Sequence, residues 1–382
     1  MNILVLGAGQ LARMMSLAGT PLNLVTLAYD SSSANVIDPV SFKQYDMSLQ
    51  EAIIWADSIT AEFEHIPVDV LALCQASNKF YPGAEAIATG GDRAKEKALL
   101  DSANVPSAPH RLITERLHFD EALKSLGYPL VLKTCQAGYD GKGQWRVKED
   151  SNVEQIWSEM SEFLSRGSDQ QPHAILAEQM INFDREVSII GARGKNGEVK
   201  IYPLTENQHT NGVLTLSVAG KEKSDIQSQA EEAFTKIANA LNYVGVLAVE
   251  FFDVEGDLLV NEIAPRVHNS GHWSQQGAHA SQFENHMRAI AGLPLGSTAL
   301  LRPTAMINVL GEKEIPMQVL AVSDVTSHWY GKSPKPGRKM GHINVSGNTL
   351  HELGEKLAEL AEILPEENYP GVIDTAKSLI LN

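Results

Sequence analysis

ILVLGAGQLARMM, residues 3–15, is apolar for the length of a strand, turns through Gly7 and Gly9, and then sets its apolar residues at helical spacing. A strand, a tight turn and a helix in that order open an α/β unit. LNLVTLAY (22–29) reads as the second strand, and SITAEFEHIP (58–67) as a later one that ends in the acidic residues Glu62 and Glu64. Roughly the first ninety residues thus read as a doubly wound sheet, whose ligands sit at the carboxyl ends of the strands.

GAGQLA (7–12) approximates GxGxxG, with Ala12 in place of the third glycine. Its glycines permit close backbone approach, and N–H groups at the helix start can hold a phosphate. A bare strand-to-helix turn would carry the same letters. With Asp30 as the acidic residue after the second strand, a nicotinamide-dependent dehydrogenase stays open at this point.

Farther along, GGDRAKEKALLDSANVP (90–106) opens a basic helix at Arg93, Lys95 and Lys97 that stops before Pro106, a boundary between units. The next unit is rich in strands: YPLVLKT (128–134), HAILAEQMI (173–181), REVSIIGAR (185–193), and VLAVEFF (246–252) joined to LLVNEIA (258–264) by DVEGD. Helices are expected around 151–165 and 226–241. From about Leu300 a last unit runs through TAMINVLG (304–311), the turn-rich GKSPKPGRKMGH (331–342), INVSG (343–347) and a helix around 349–362.

At 382 residues the chain is long enough for two or three cores. A net charge of −16 opposes nucleic-acid binding, which depends on Lys and Arg at phosphates. No apolar run reaches the roughly 20 residues that span a bilayer, and the N-terminus lacks a basic leader, so a soluble, cytoplasmic protein without membrane partners is expected. Cys74 and Cys135 lack CxxC spacing, which argues against a disulfide framework or structural zinc.

Several segments carry chemistry. AGYDGKGQ (137–144) is a glycine loop between strands, with N–H groups and Lys142 available to nucleotide phosphates, but without P-loop spacing. Lys133 ends the preceding strand and points to the same place. Glu250 and Glu262 lie on two strands of one hairpin and can converge on a divalent ion, with Asn261 as a further oxygen donor. APRVHNSGHWSQQG (264–277) crowds Arg266, His268, Asn269, Ser270 and His272 into an aperiodic loop suited to an anion. Lys332 and Arg338 give a second basic loop.

Taken in order, GAGQLARMM, EFEHIP, DRAKEK, GYDGKGQ, AEQMI, NEIAPRVHNSGHWSQQGAHASQFENHMRAI and YGKSPKPGRKMGH resemble the N5-carboxyaminoimidazole ribonucleotide synthetases, a family of ATP-grasp enzymes. The resemblance covers almost the whole chain. It implies an α/β and α+β multidomain protein: a Rossmann-like pre-ATP-grasp domain over 1–100, an ATP-grasp domain over 101–298 and a small C-terminal domain over 299–382. It also implies a homodimer.

By position, the resemblance places ATP against Arg93, Lys133, the loop Gly138, Tyr139, Asp140, Gly141, Lys142, Gly143 and Gln144, and then Glu178, Gln179, Met180, Ile181, Glu186, His209, Asn261 and Glu262. Mg²⁺ would rest on Glu250 and Glu262. The substrate 5-aminoimidazole ribonucleotide would meet Gly9, Gln10, Leu11, Glu64, Arg266, His268, Asn269, Ser270, Lys332 and Arg338. Bicarbonate attacks the γ-phosphate to give carboxyphosphate, which yields carbon dioxide to the exocyclic amine, with Asp140, Tyr139 and Arg266 as catalytic groups and Asp140 as base. Where the family has a basic, glycine-rich lead into its loop, this chain has Cys135, Gln136 and Ala137.

Overall fold

The computed structural model describes residues 1–136, 143–168, 172–221 and 224–381. Among the described residues the strands form three sheets. In the first, Asn2–Leu6 lies between Val25–Asp30 and Ser58–Ala61, both parallel to it, and the short strands Asn35–Ile37 and Gln44–Tyr45 extend the edge antiparallel. Ile3, Leu4, Val5 and Leu6 are all buried, as expected of a strand covered on both faces. Helix Gln10–Gly19 packs Leu11, Ala12, Met14 and Met15 inward. The sequence places this strand, turn and helix correctly.

The second sheet is antiparallel, in the order His110–Ile113, Ile175–Gln179, Leu130–Thr134, Gln144–Val147. Phe119 and Met160, from the helices Arg116–Leu126 and Val153–Ser165, fill its core with Leu130, Leu132 and Ile175. The third sheet has nine strands. Its main path runs Asp257–Ala264, Gly245–Val254, Arg185–Arg193, Thr205–Thr210, Val213–Ala219, Thr304–Leu310, Lys339–Ser346, Val325–Trp329.

The last unit therefore does not build a sheet of its own, because Thr304–Leu310 pairs antiparallel with Val213–Ala219 and continues the central sheet. Two of its elements escape the sequence reading. Val325–Trp329 is half-buried at every position and shows no alternation, as befits an edge strand. Helix Val372–Leu381 buries Val372, Ala376 and Leu379, a spacing that was there to be read.

Where the last strands meet the loop after Arg266, three histidine rings cluster: His328 stacks on His342 with centroids 4.4 Å apart, and His272 lies tilted against His342 at 4.7 Å. Burial pushes His328 down to about 4. The folded protein then resists a proton that the unfolded chain accepts below about pH 6.5, so this stability is complete above that pH and lost as pH falls toward 4. Glu96 titrates in the opposite sense, so the comparison must be differential. His328→Gln, which can keep the bond to Gln276, is expected to lose less stability than wild type on acidification. The gap in thermal melts should close by about 2 kcal/mol between pH 6.5 and 5. Parallel melting-temperature profiles would refute this.

Candidate active site

A cleft of about 620 Å³ opens between the second and third sheets, with the start of helix Arg93–Ser102 at its base. Asp92 caps that helix through the N–H groups of Ala94 and Lys95. The helix brings Arg93, Glu96 and Lys97 into the cleft, positions that share one face at i, i+3 and i+4.

On the antiparallel sheet, Glu178 sits buried between two lysines, with Lys133 Nζ at 2.6 Å and Lys97 Nζ at 2.8 Å. Burial alone would raise its pKa, but Lys133 and then Lys97 outweigh it and hold the carboxyl at about 2. It is a fixed anion across the working pH range. Gln179, Met180 and Ile181 continue along the same wall, and Gln144 with Arg146 forms the neighbouring one. Residues 144 and 146 share a face by the two-residue period of a strand.

The facing wall comes from the large sheet. Glu250 and Glu262 are direct cross-strand partners, set opposite by a register shift at which Asn261 is the extra residue. Burial, then the charge of Glu262, pushes Glu250 up, while His209 partly opposes this. Beside them His209 Nδ1 lies 2.6 Å from Glu186 Oε2. Burial would lower His209, yet its bond to Glu186 and the charges of Glu250 and Glu262 raise it instead. No group of three or more His, Cys, Asp or Glu among the described residues makes a metal cage. Two opposed carboxylates whose remaining partners must come from elsewhere fit Mg²⁺ shared with a phosphate-bearing ligand.

The loop after the hairpin supplies the cleft's far end. Arg266 Nε lies 2.7 Å from Glu64 Oε1, and His268 Nε2 lies 3.5 Å from Glu250 Oε1. Asn269 lines the cleft with both amide atoms buried and without a hydrogen-bond partner among the described residues. Buried amides are normally satisfied, so its donor and acceptor are groups that a ligand in the cleft could use. Ser270, expected at the substrate, stands behind the wall: it is fully buried, and its Oγ accepts from Ser188 and bonds His268 Nδ1.

A separate group forms at the first turn. Lys332 donates to the Gln10 side chain, and the buried Glu62 carboxylate accepts the N–H groups of Gly9 and, at 2.9 Å, Ala12. Leu11 is buried there, while Arg338 donates to the Ser333 carbonyl at 2.9 Å. Asp30 is occupied by Ser32 and Ser33. A dinucleotide would need both the helix N-terminus and the acid after the second strand, and both are filled. The dehydrogenase alternative falls here.

Gly138, Tyr139, Asp140, Gly141 and Lys142 lie outside the described residues; Gly143 is described, at φ +69°, and its carbonyl accepts the N–H of Thr134. Glu96, Lys97, Arg146 and Lys339 line the cleft without having been singled out there from sequence. Glu96 accepts the Ile263 N–H at 2.9 Å, and burial pushes its carboxyl up to about 8. The helical face of DRAKEK was the available signal for Glu96 and Lys97. Arg146 is a cation in the same cleft that Cys135 lines, where the family's basic lead is replaced.

Three family patterns match the chain: the ribonucleotide synthetase preATP-grasp domain over residues 1–90, the ATP-grasp domain over 98–283 and the phosphoribosylaminoimidazole carboxylase C-terminal domain over 304–356. The N5-carboxyaminoimidazole ribonucleotide synthase of Vibrio vulnificus is 56% identical over 377 residues, 99% of each chain. That of Escherichia coli is 38% identical, with 97% of this chain and 98% of that one covered. The N5-carboxyaminoimidazole ribonucleotide synthetase of Thermus thermophilus superposes with a TM-score of 0.83 at 38% identity, covering 95% of this chain and 99% of the other. The Aspergillus clavatus enzyme in complex with ADP and 5-aminoimidazole ribonucleotide reaches 0.77 at 28% identity, covering 99% and 98%.

Proposed function

This chain belongs to the N5-carboxyaminoimidazole ribonucleotide synthase family, and from that premise we propose how its residues divide the work. It is an ATP-dependent ligase of purine biosynthesis that carboxylates the amino group of 5-aminoimidazole ribonucleotide. Bicarbonate is the proposed carbon source, and a cytoplasmic homodimer the proposed form. The observation that carries the division of roles is the cleft itself, where a lysine-clamped anion on one sheet faces a carboxylate pair on the other.

In this reading Arg93, Lys133 and Arg146 hold phosphate oxygens, and Met180 and Ile181 take the adenine. Glu178 orients the two lysines. Glu250 and Glu262 would hold Mg²⁺, which neutralises charge on the transferring phosphoryl group. Arg266, His268 and Asn269 receive the ribonucleotide, and Asp140 accepts the proton of its amine. Closure of the small antiparallel sheet over the cleft excludes the water that would hydrolyse carboxyphosphate.

The test is ADP release by the purified protein with ATP and Mg²⁺, varying bicarbonate and the ribonucleotide separately. Release that requires both supports the reading, and release indifferent to bicarbonate removes it as the carbon source. Within that assay, Lys97→Met leaves Glu178 with one lysine and is expected to raise KM for ATP about tenfold, the worth of one charge-assisted hydrogen bond. An unchanged KM would return Lys97 to a purely structural place.

A further inference from the structure

We propose that Glu62 is a positioning residue for the ribonucleotide, fixing the backbone around Gln10 and, through the Gln10 side chain, the place of Lys332. This rests on the reading that Gln10 and Lys332 touch that substrate.

The start of helix Gln10–Gly19 offers free N–H groups and a positive dipole end, which by themselves attract a phosphate. Here the Glu62 carboxylate takes them, one oxygen receiving the Gly9 N–H and the other the Ala12 N–H. The fit explains the glycines. A Cβ on Gly7 would stand 2.5 Å from Glu62 Cγ, and one on Gly9 would stand 2.7 Å from Oε1. The glycine turn is thus shaped around a side chain of the same protein. A substrate phosphate arriving here finds two of the N–H groups at the helix start already taken and must draw on side chains as well.

Those side chains are Gln10 and Lys332, already bonded to each other. Glu62 reaches Lys332 through that bond, because its carboxylate is spent on the N–H groups on either side of Gln10. One buried carboxylate thereby sets the direction of Gln10 and the seat of a lysine more than two hundred residues away in sequence. Arg13, one residue beyond the carboxylate's reach, anchors the same segment by donating to the Val40 carbonyl at 2.6 Å. The seat is rigid on both sides.

The experiment measures steady-state kinetics of Glu62→Gln, Lys332→Met and the double variant in the full-length protein. Glu62→Gln keeps the size of the side chain but loses the charge and one of the two acceptors. Its KM for 5-aminoimidazole ribonucleotide should rise about tenfold. The KM for ATP and the kcat at saturation should stay within about twofold. A loosened fold would move the ATP constant as well. In the double variant the two effects should fall well short of multiplying, because both act through one lysine.

A wild-type KM for the ribonucleotide in Glu62→Gln, with Lys332→Met impaired, overturns the proposal and spares the substrate assignment. A wild-type KM in Lys332→Met overturns both. Fully multiplicative effects show that Glu62 acts elsewhere. If Glu62→Gln does not fold, Glu62→Asp tests the same seat, since it keeps the charge but draws the carboxylate back from the Gly9 and Ala12 N–H groups. The same KM split is expected, and its absence counts against the proposal.

Discussion

Glu262→Gln is expected to lower turnover on the order of 10²-fold at saturating Mg²⁺ and to raise the Mg²⁺ concentration needed for half-maximal ADP release. It should also melt at a higher temperature than wild type when no nucleotide is present. The two expectations have one cause. Like charges directly opposite on paired strands repel, and Glu250 is buried as well. Its carboxyl is raised above its ordinary value, so near neutral pH its ionisation weighs against the folded state, a cost that falls away as pH drops below the unfolded value. Removing the charge on residue 262 relieves part of it. A protein keeps such a pair only where something positive belongs between the two groups. Turnover with unaltered Mg²⁺ dependence would take Glu262 out of the metal site, whatever the melt shows.

The convergence of those carboxylates was legible in outline but not in mechanism. DVEGD between two strands announces a hairpin, and from there Val254 opposes Asp257, Leu258 opposes Asp253 and Val260 opposes Phe251. Continued without interruption, that register would set Glu250 against Asn261 and turn Glu262 to the other face of the sheet. The bulge at Asn261 shifts it by one residue and brings the carboxylates opposite each other. Nothing in the alternation of LLVNEIA marks that extra residue. The correct expectation that both acids meet depended on a local irregularity that only the backbone displays.

Elsewhere the limit is distance along the chain. The first strand, turn and helix follow from residues within a dozen positions. The reason for their glycines lies at Glu62, some fifty residues on, so the same letters suggested a dinucleotide. The continuation of the central sheet into Thr304–Leu310 likewise joins strands about ninety residues apart. Local pattern cannot choose between a separate small sheet and an added edge, because either would bury the same alternate faces. The lysines around Glu178 are a third case: Lys97 lies on a helix and Lys133 on a strand, and their shared anion appears only when the two elements meet.

Arg266→Ala is expected to reduce kcat/KM for 5-aminoimidazole ribonucleotide by about 10²- to 10³-fold, more than any single change at Gln10 or Lys332. The guanidinium stands where three demands cross. It pairs with Glu64 at 2.7 Å, its Nη1 donates to the Val267 carbonyl at 3.3 Å, and it lines the cleft with Asn269, whose amide has no partner among the described residues. Two of those bonds aim the planar fork, which leaves its remaining donors for a phosphate or carboxyphosphate oxygen. Alanine removes the donor and also leaves the Glu64 carboxylate without its cation, adding repulsion toward an anionic substrate. Lysine separates the two effects. Arg266→Lys restores charge near Glu64 but cannot aim two bonds while presenting others in a plane, so it should recover less than a tenth of the lost kcat/KM. Recovery to near wild type would mean that this position supplies charge alone, and the alignment of the reacting groups would then rest on His268 and Asn269.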